Sequence, residues 1–368
     1  MLYIISVMAL KTTRGIAGPH KGRGATTNLE GRFEVWQRAA ADDGWEHTTE
    51  ELPPPRTEVS IETAKSIIAR NDSPDIGFAQ SINPYRGCEH GCIYCYARPS
   101  HAYLGLSPGI DFETRLVAKT NAVELLRAEL AHPRYRCAPI MLGANTDPYQ
   151  PIEREYRLTR GIIELLAECE HPLNVITKNA LIERDIELIA PMAAKRLAHA
   201  FVSVTNCDPA LARKLEPRAS APYRRIETIR RLAEAGIPVG VMVAPIIPFV
   251  TDRNMEEVLE RAREAGASAA SYVVLRLPHE IAPIFQQWLE THYPLKAAHV
   301  MSLVRQMSGG KDYDSRFGVR QRGSGNFAEL IAKRFALACA RLGLARERVE
   351  LDVGRFRPPH HGPQLALF

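Results

Sequence analysis

The sequence predicts an α/β fold carrying a parallel sheet, on three observations. Six short β-branched runs recur from residue 76 onward: "IGFAQSI", "APIMLGA", "LNVIT", "AFVSVT", "PVGVMVAP" and "ASYVVLRL". Segments of helical spacing separate them; "RGIIELLAECE" puts Ile162, Ile163, Leu166 and Cys169 on one face. Two junctions, "RRLAEAGIPVGVMV" and "ERAREAGASAASYVV", nearly repeat each other. In each, a helix ends at a glycine (Gly236 or Gly266) suited to a left-handed cap, then feeds a buried strand. Strand, helix, strand at this rhythm gives right-handed crossovers. Six strands fall short of a closed eight-stranded barrel. An open three-quarter barrel and a doubly wound sheet both fit, and both gather functional groups at the C-terminal strand ends.

The flanks differ in texture. Residues 1–75 form a basic arm whose stretch 11–60 is rich in Gly, Thr, Arg and Pro and has no hydrophobic period. An extended, partly ordered chain is expected there. Its Lys11, Arg14, Lys21, Arg23 and Arg32 read either as phosphate contacts or as a solvated surface. The opening "MLYIISVM" is apolar but too short for a signal peptide, and Met8 is an alternative start. The barrel occupies 76–280. Residues 281–350 turn helical, interrupted by a glycine-rich basic loop with Lys311, Arg316, Arg320 and Arg322. Prolines in 351–368 predict an exposed tail.

No apolar run reaches membrane-spanning length. Four cysteines, Cys137, Cys169, Cys207 and Cys339, are scattered, and the total of seven is odd. That argues against a disulfide framework and favours a reducing, cytoplasmic setting. A net charge of +5 permits a nucleic-acid partner without demanding one.

The remaining three cysteines carry the chemistry. "NPYRGCEHGCIYCYAR" sets Cys88, Cys92 and Cys95 on the loop after the first strand, among Gly87, Gly91, Tyr94 and Tyr96. A zinc site needs a fourth ligand, for which His90 or His101 is available, but structural zinc sites usually join two cysteine pairs and no second pair exists. Three buried structural thiols fit poorly among glycines and polar residues. The third reading is a 4Fe–4S cluster on three thiolates, with one iron left open for a small molecule.

The CxxxCxΦC spacing, with aromatic Tyr94 before the last cysteine, resembles the signature of the radical S-adenosylmethionine (radical SAM) superfamily. The resemblance implies a partial (βα)6 TIM-like barrel and a 4Fe–4S cluster on Cys88, Cys92 and Cys95. S-adenosyl-L-methionine would bind the open iron, and an external electron donor would drive its cleavage to a 5′-deoxyadenosyl radical that takes hydrogen from the substrate. It further implies that Tyr94 faces the adenine and that Gly143, Ala144, Asn145 and Thr146 hold the methionine amino group. Thr177, Lys178, Ser203 and Thr205 would reach the ribose or carboxylate, and Arg218 would pair with the cofactor carboxylate.

Over residues 80–280 the pattern "GANTDPYQPIERE … ITKN … SVT … LEPRAS" resembles the group related to spore photoproduct lyase, the DNA repair photolyase-like proteins. That resemblance implies a lyase-type C–C cleavage on damaged DNA, with a cysteine thiol returning hydrogen. Outside the cysteine loop, only Cys207 lies just past a strand's C-terminal end, so it is the candidate donor.

The chain ends in "QLALF", which resembles the pentapeptide by which bacterial repair proteins dock on the sliding clamp. Gln364 would hydrogen-bond, while Leu365, Leu367 and Phe368 would fill apolar pockets. The expectation is a radical SAM enzyme acting on nucleic acid, most directly damaged DNA. RNA or a protein side chain is the alternative substrate. A clamp-bound DNA adaptor with a structural or redox-sensing cluster is the non-enzymatic alternative.

Overall fold

All six β-branched runs form strands, each buried on the faces that its apolar residues occupy. The computed structural model describes residues 20–34, 55–346 and 349–359. Its strands are β1 (Glu58–Glu62), β2 (Ile68–Arg70), β3 (Gln80–Ile82), β4 (Tyr85–Arg86), β5 (Arg115–Lys119), β6 (Ile140–Leu142), β7 (Leu173–Thr177), β8 (Ala198–Ser203), β9 (Val239–Ile246) and β10 (Ala269–Val274).

The larger sheet runs β10-β9-β8-β7-β6-β3-β2. Every neighbouring pair from β3 to β10 in that order is parallel, and β2 lies antiparallel on the outer edge of β3. A doubly wound sheet reverses its order at a switch point. This one advances strand by strand, so the open (βα)6 barrel is the architecture. The two predicted glycine caps adopt left-handed φ values, +75° at Gly236 and +98° at Gly266. The predicted face of the Leu158–Glu168 helix, Ile162, Ile163 and Leu166, is buried in the main core with Val175, Val202 and Val241.

Two features depart from the sequence reading. Residues 58–62, expected to be irregular, form β1 in a second small sheet of order β1-β5-β4. The alternation in "EVSIE" explains it, since Val59 packs on buried Tyr85, Leu116 and Ala118. The basic loop also serves the fold. β3 and β10 do not pair, which leaves a lateral seam, and the loop spans it. Val274 N donates to Gln321 O (2.9 Å), Gln321 Nε2 donates to Asp75 O (3.0 Å), and Arg320 Nε donates to Asp75 Oδ2 (2.8 Å). Arg322 donates to Tyr272 O (2.8 Å) and stacks on its ring, while Arg316 pairs with Asp314 at 2.6 Å. Three of the four cations expected at phosphates therefore have partners inside the chain, because carboxylates and carbonyls lie within reach.

The predicted C-terminal helices are Ile281–His292, Pro294–Met307 and Asn326–Leu342. Phe285, Trp288 and Val300 from the first two join Cys92, Ile93 and Tyr94 in one buried cluster, so this region supports the cysteine loop. Past the helices, the chain crosses the barrel floor instead of standing free. Asp352 N donates to Arg196 O and Arg357 N to Cys169 O, and Phe356 packs on Tyr135 and His171. Gln364, Leu365, Leu367 and Phe368 lie outside the described residues. No helix among the described residues is long and apolar enough to cross a membrane.

Candidate active site

The cysteine loop leaves β4 through Gly87, at φ +74°. A Cβ there would stand 2.6 Å from Leu116 Cδ2 and 2.9 Å from Phe112 O, so only glycine makes the turn. Cys88 N donates to Phe112 O, and two tight turns follow, Cys95 N to Cys92 O and Arg98 N to Cys95 O. All three thiols are free. Cys95 packs against both the Cys88–Phe112 cluster and the Cys92–Tyr94 cluster, so it stands between the other two cysteines.

Burial pushes each of these thiols above the usual thiol range. Asp147 adds to the effect at Cys88 and Glu216 at Cys92. Desolvated thiols without an adjacent base take the thiolate form when a metal supplies the compensating charge. The donor set therefore fits an iron–sulfur cluster. Each histidine has its Nε2 occupied, His90 at 3.2 Å from Asn179 Nδ2 and His101 at 2.9 Å from Arg115 O, while each Nδ1 makes no hydrogen bond among the described residues, that of His90 lying 3.3 Å from Asp147 Oδ2. Among the described residues, no group of three or more His, Cys, Asp or Glu side chains stands ready to hold a metal ion. The three thiols fit an iron–sulfur cluster by their donor chemistry and their loop placement, and not as a ready-made cage.

Two buried ion pairs that sequence reasoning missed hold the loop. Arg98, fully buried, donates from Nε to Cys92 O (2.9 Å), from Nη1 to Gly109 O (2.8 Å), and from Nη2 to Glu113. Glu113 also accepts Gly24 N (2.9 Å) and Ala25 N (2.8 Å), which draws the arm against the back of the loop. The contact is close enough that a Cβ on Gly24 would fall 1.8 Å from Gly91 O. Arg23 donates to Glu113 O (2.9 Å) and Arg32 pairs with Glu280 (3.1 Å), so these two arm cations also serve the fold.

The second pair lies beneath Tyr94. The Tyr94 hydroxyl and Arg225 Nη2 both donate to the Glu216 carboxylate, and the Thr205 hydroxyl donates to it at 2.6 Å. Burial works to raise the pKa of Glu216, but Arg225, Lys178 and these hydrogen bonds together hold it down at about 2. Arg225 also donates to Ser203 O (3.0 Å), so one carboxylate links the cysteine loop to the end of β8. Lys178 Nζ stands 6.0 Å from the Tyr94 ring centroid.

At the end of β6, Gly143 has φ +91°, and a Cβ would fall 2.4 Å from Ile176 O. Asn83 Oδ1 accepts Asn145 N (2.8 Å) and Thr146 N (3.2 Å), and the Tyr96 hydroxyl donates to Ala144 O. With those amides taken, the stretch has carbonyls to offer an ammonium group. Thr177 Oγ1 and Lys178 N both donate to Asp147, each at 2.7 Å. Arg218 pairs with Glu89 at 3.0 Å and donates its amide to His90 O, so it rests on the cysteine loop.

Cys207 follows β8 as expected, but its thiol is half-buried in a pocket with Tyr223, Ile226, Glu227, Arg230 and Arg261. Those residues belong to the Pro222–Glu234 and Met255–Glu264 helices and not to the cysteine loop. Burial pushes this thiol up to about 11.

An open parallel barrel with three free thiols beyond its first strand defines a scaffold for a cofactor held at the C-terminal strand ends. The chain belongs to the radical SAM superfamily, whose family profile matches residues 82–262. Members use a 4Fe–4S cluster and S-adenosylmethionine and need an external electron donor. The uncharacterized protein Rv2578c of Mycobacterium tuberculosis is 39% identical over 62% of this chain and 68% of its own. The uncharacterized protein MJ0683 of Methanocaldococcus jannaschii is 26% identical over 58% and 76%. Among solved structures, spore photoproduct lyase complexed with dinucleoside spore photoproduct matches with a TM-score of 0.53 at 16% identity, covering 78% of this chain and 81% of that one. A double mutant of that lyase with bound AdoMet and dinucleoside spore photoproduct gives 0.54 at 15% identity, covering 79% and 82%.

Proposed function

We propose that this radical SAM enzyme acts on nucleic acid, by a lyase-type C–C cleavage in damaged DNA that begins with hydrogen abstraction. The observation that carries the reading is the breadth of the likeness to spore photoproduct lyase. It covers 78% of the chain, well beyond the matched residues 82–262, and that lyase is seen with a dinucleoside lesion. When bound, the cluster and S-adenosylmethionine supply the hydrogen-abstracting radical.

The chain's own residues supply position and a dry site. Cys88, Cys92 and Cys95 would hold the cluster. Arg98 fixes the Cys92 carbonyl, and the Glu216 network fixes Tyr94 beneath the adenine position. Carbonyls of the 143–146 stretch would accept the methionine ammonium. Lys178, Ser203 and Thr205 line the ribose side, with Thr177 bracing Asp147 behind them. Arg218, tied to Glu89, would swing to the cofactor carboxylate. Cys207 faces helices of the outer layer and has no part in this reading.

Residues 364–368 are proposed as a sliding-clamp peptide. Deleting 364–368 should abolish clamp pull-down, and unchanged retention overturns the tail's role. For the reaction itself, the test is S-adenosylmethionine cleavage by the anaerobically loaded enzyme with intact duplex, ultraviolet-damaged duplex, or RNA. Lesion-dependent loss of the dimer, with deuterium passing from labelled lesion to 5′-deoxyadenosine, is expected. Turnover only with RNA or a peptide overturns the DNA assignment.

A further inference from the structure

Beside the mouth, a cleft of about 350 Å³ opens between arm residues 20–26 and the end of the Pro209–Leu215 helix. Its lining has one sign of charge: Lys21, Arg23, Arg213 and Lys214 stand there with His20 and His292, and no Asp or Glu lines it. Arg23 already donates to Glu113 O, Pro55 O and Thr57 Oγ1, so it contributes charge more than contacts. Lys21, Arg213 and Lys214 have no carboxylate partner among the described residues; Lys214 Nζ sits 4.8 Å from the Tyr293 ring centroid instead.

Two residues of the cleft wall each carry a buried polar atom without a partner among the described residues. Thr26 is only 3% exposed, yet among the described residues neither its Oγ1 nor the buried His20 Nε2 has a hydrogen-bond partner. Buried polar atoms are almost always satisfied, so an unpaired hydroxyl and ring nitrogen beside unpaired cations mark a built anion site. A phosphoryl group suits it, offering several acceptor oxygens on one compact anion. The recess is large enough to admit a phosphate with its sugar.

The cleft backs directly onto the cysteine loop. Gly24 lies against Gly91 O, Pro217 Cγ would stand 3.2 Å from a Cβ on Gly91, and Ile93 N donates to Leu215 O at 3.0 Å. We propose that this cleft binds a backbone phosphate of the nucleic-acid substrate and so fixes the strand beside the thiol loop. The proposal rests on the nucleic-acid reading above and deepens it.

The test uses cluster-loaded, full-length protein under anaerobic conditions. Fluorescence anisotropy reads binding of labelled single-stranded and duplex oligodeoxynucleotides to wild type, to R213A/K214A and to Thr26→Val, with inorganic phosphate as competitor. The double variant should bind roughly tenfold more weakly, and its slope of log affinity against log salt should shrink by about 1. Thr26→Val should weaken binding several-fold, and phosphate should compete only in wild type. Both variants alter groups outside the thiol site, so substrate-free S-adenosylmethionine cleavage should stay unchanged. If wild type binds and both variants bind equally well, the cleft assignment falls while the nucleic-acid reading stands. If wild type binds no oligonucleotide, that reading fails and the cleft's role falls with it. Phosphate binding without oligonucleotide competition overturns the backbone assignment in favour of a free anion. Slower cluster reduction by an acidic electron-transfer protein, with DNA binding intact, overturns it in favour of a donor dock.

Discussion

The Tyr94 hydroxyl donates to the buried Glu216 carboxylate, so a residue of the cysteine loop is anchored on the chain beyond β8. The same carboxylate neutralises Arg225, which is almost wholly buried. Glu216→Gln keeps the shape but leaves a buried guanidinium without its charge partner. It should cost roughly 3–5 kcal/mol. Tyr94→Phe removes one hydrogen bond to that charged carboxylate and should cost about 1.5–3 kcal/mol. Denaturant unfolding of the two variants checks the ratio; equal losses would contradict the network.

Arg98 directs donors to Cys92 O, Gly109 O, Pro108 O and Glu113 from one planar group. Lysine keeps the charge but cannot reproduce that fork. Arg98→Lys should therefore fold and yet retain less iron per chain after anaerobic reconstitution. Iron and sulfide analysis against wild type measures it.

Gly143 and Gly236 both have positive φ, but their surroundings differ. A Cβ at Gly143 meets Ile176 O at 2.4 Å, whereas one at Gly236 meets nothing within 4 Å. Gly236→Ala should cost about 1 kcal/mol of stability and leave cofactor affinity alone. Gly143→Ala should displace the stretch after β6 and weaken S-adenosylmethionine binding at least tenfold. Calorimetric titration of both variants separates the two outcomes.

Two histidines beneath the barrel give an acid limit. Burial holds His171 and His199 at about 4, below the ordinary value of 6.5. As pH falls below 6.5 the unfolded chain takes up protons that the folded chain refuses. Stability is therefore complete above pH 6.5 and is lost progressively as pH falls toward 4, by up to roughly 3 kcal/mol per residue. Urea midpoints at pH 7 and pH 5 should show the loss. His199→Leu, which removes the unpartnered Nε2, should reduce the pH dependence by about half.

The barrel was legible in the sequence because its signals are local. The runs from "IGFAQSI" to "ASYVVLRL" carry strand propensity within a few residues, and Gly236 and Gly266 mark their helix ends. The thiol loop was legible for the same reason, as fixed spacing over eight positions. Pairings across the chain were not. Arg320 meets Asp75 from 245 positions away, and nothing in the basic loop names that partner, so a seam closure reads as a phosphate patch. Arg98, Glu113, Glu216 and Arg225 look like ordinary surface charges until the fold buries them. Cys207 was assigned from strand position alone, which fixes the end of the barrel but not the direction of the thiol.

The most direct measurement of the central claim is cofactor cleavage by the anaerobically reconstituted chain. With dithionite and S-adenosylmethionine, wild type should release 5′-deoxyadenosine, and Cys88→Ala, Cys92→Ala and Cys95→Ala should each lose both the iron–sulfur absorbance and the product. His90→Ala and His101→Ala should keep the iron–sulfur absorbance. A fully loaded wild-type cluster that leaves S-adenosylmethionine intact would contradict the account.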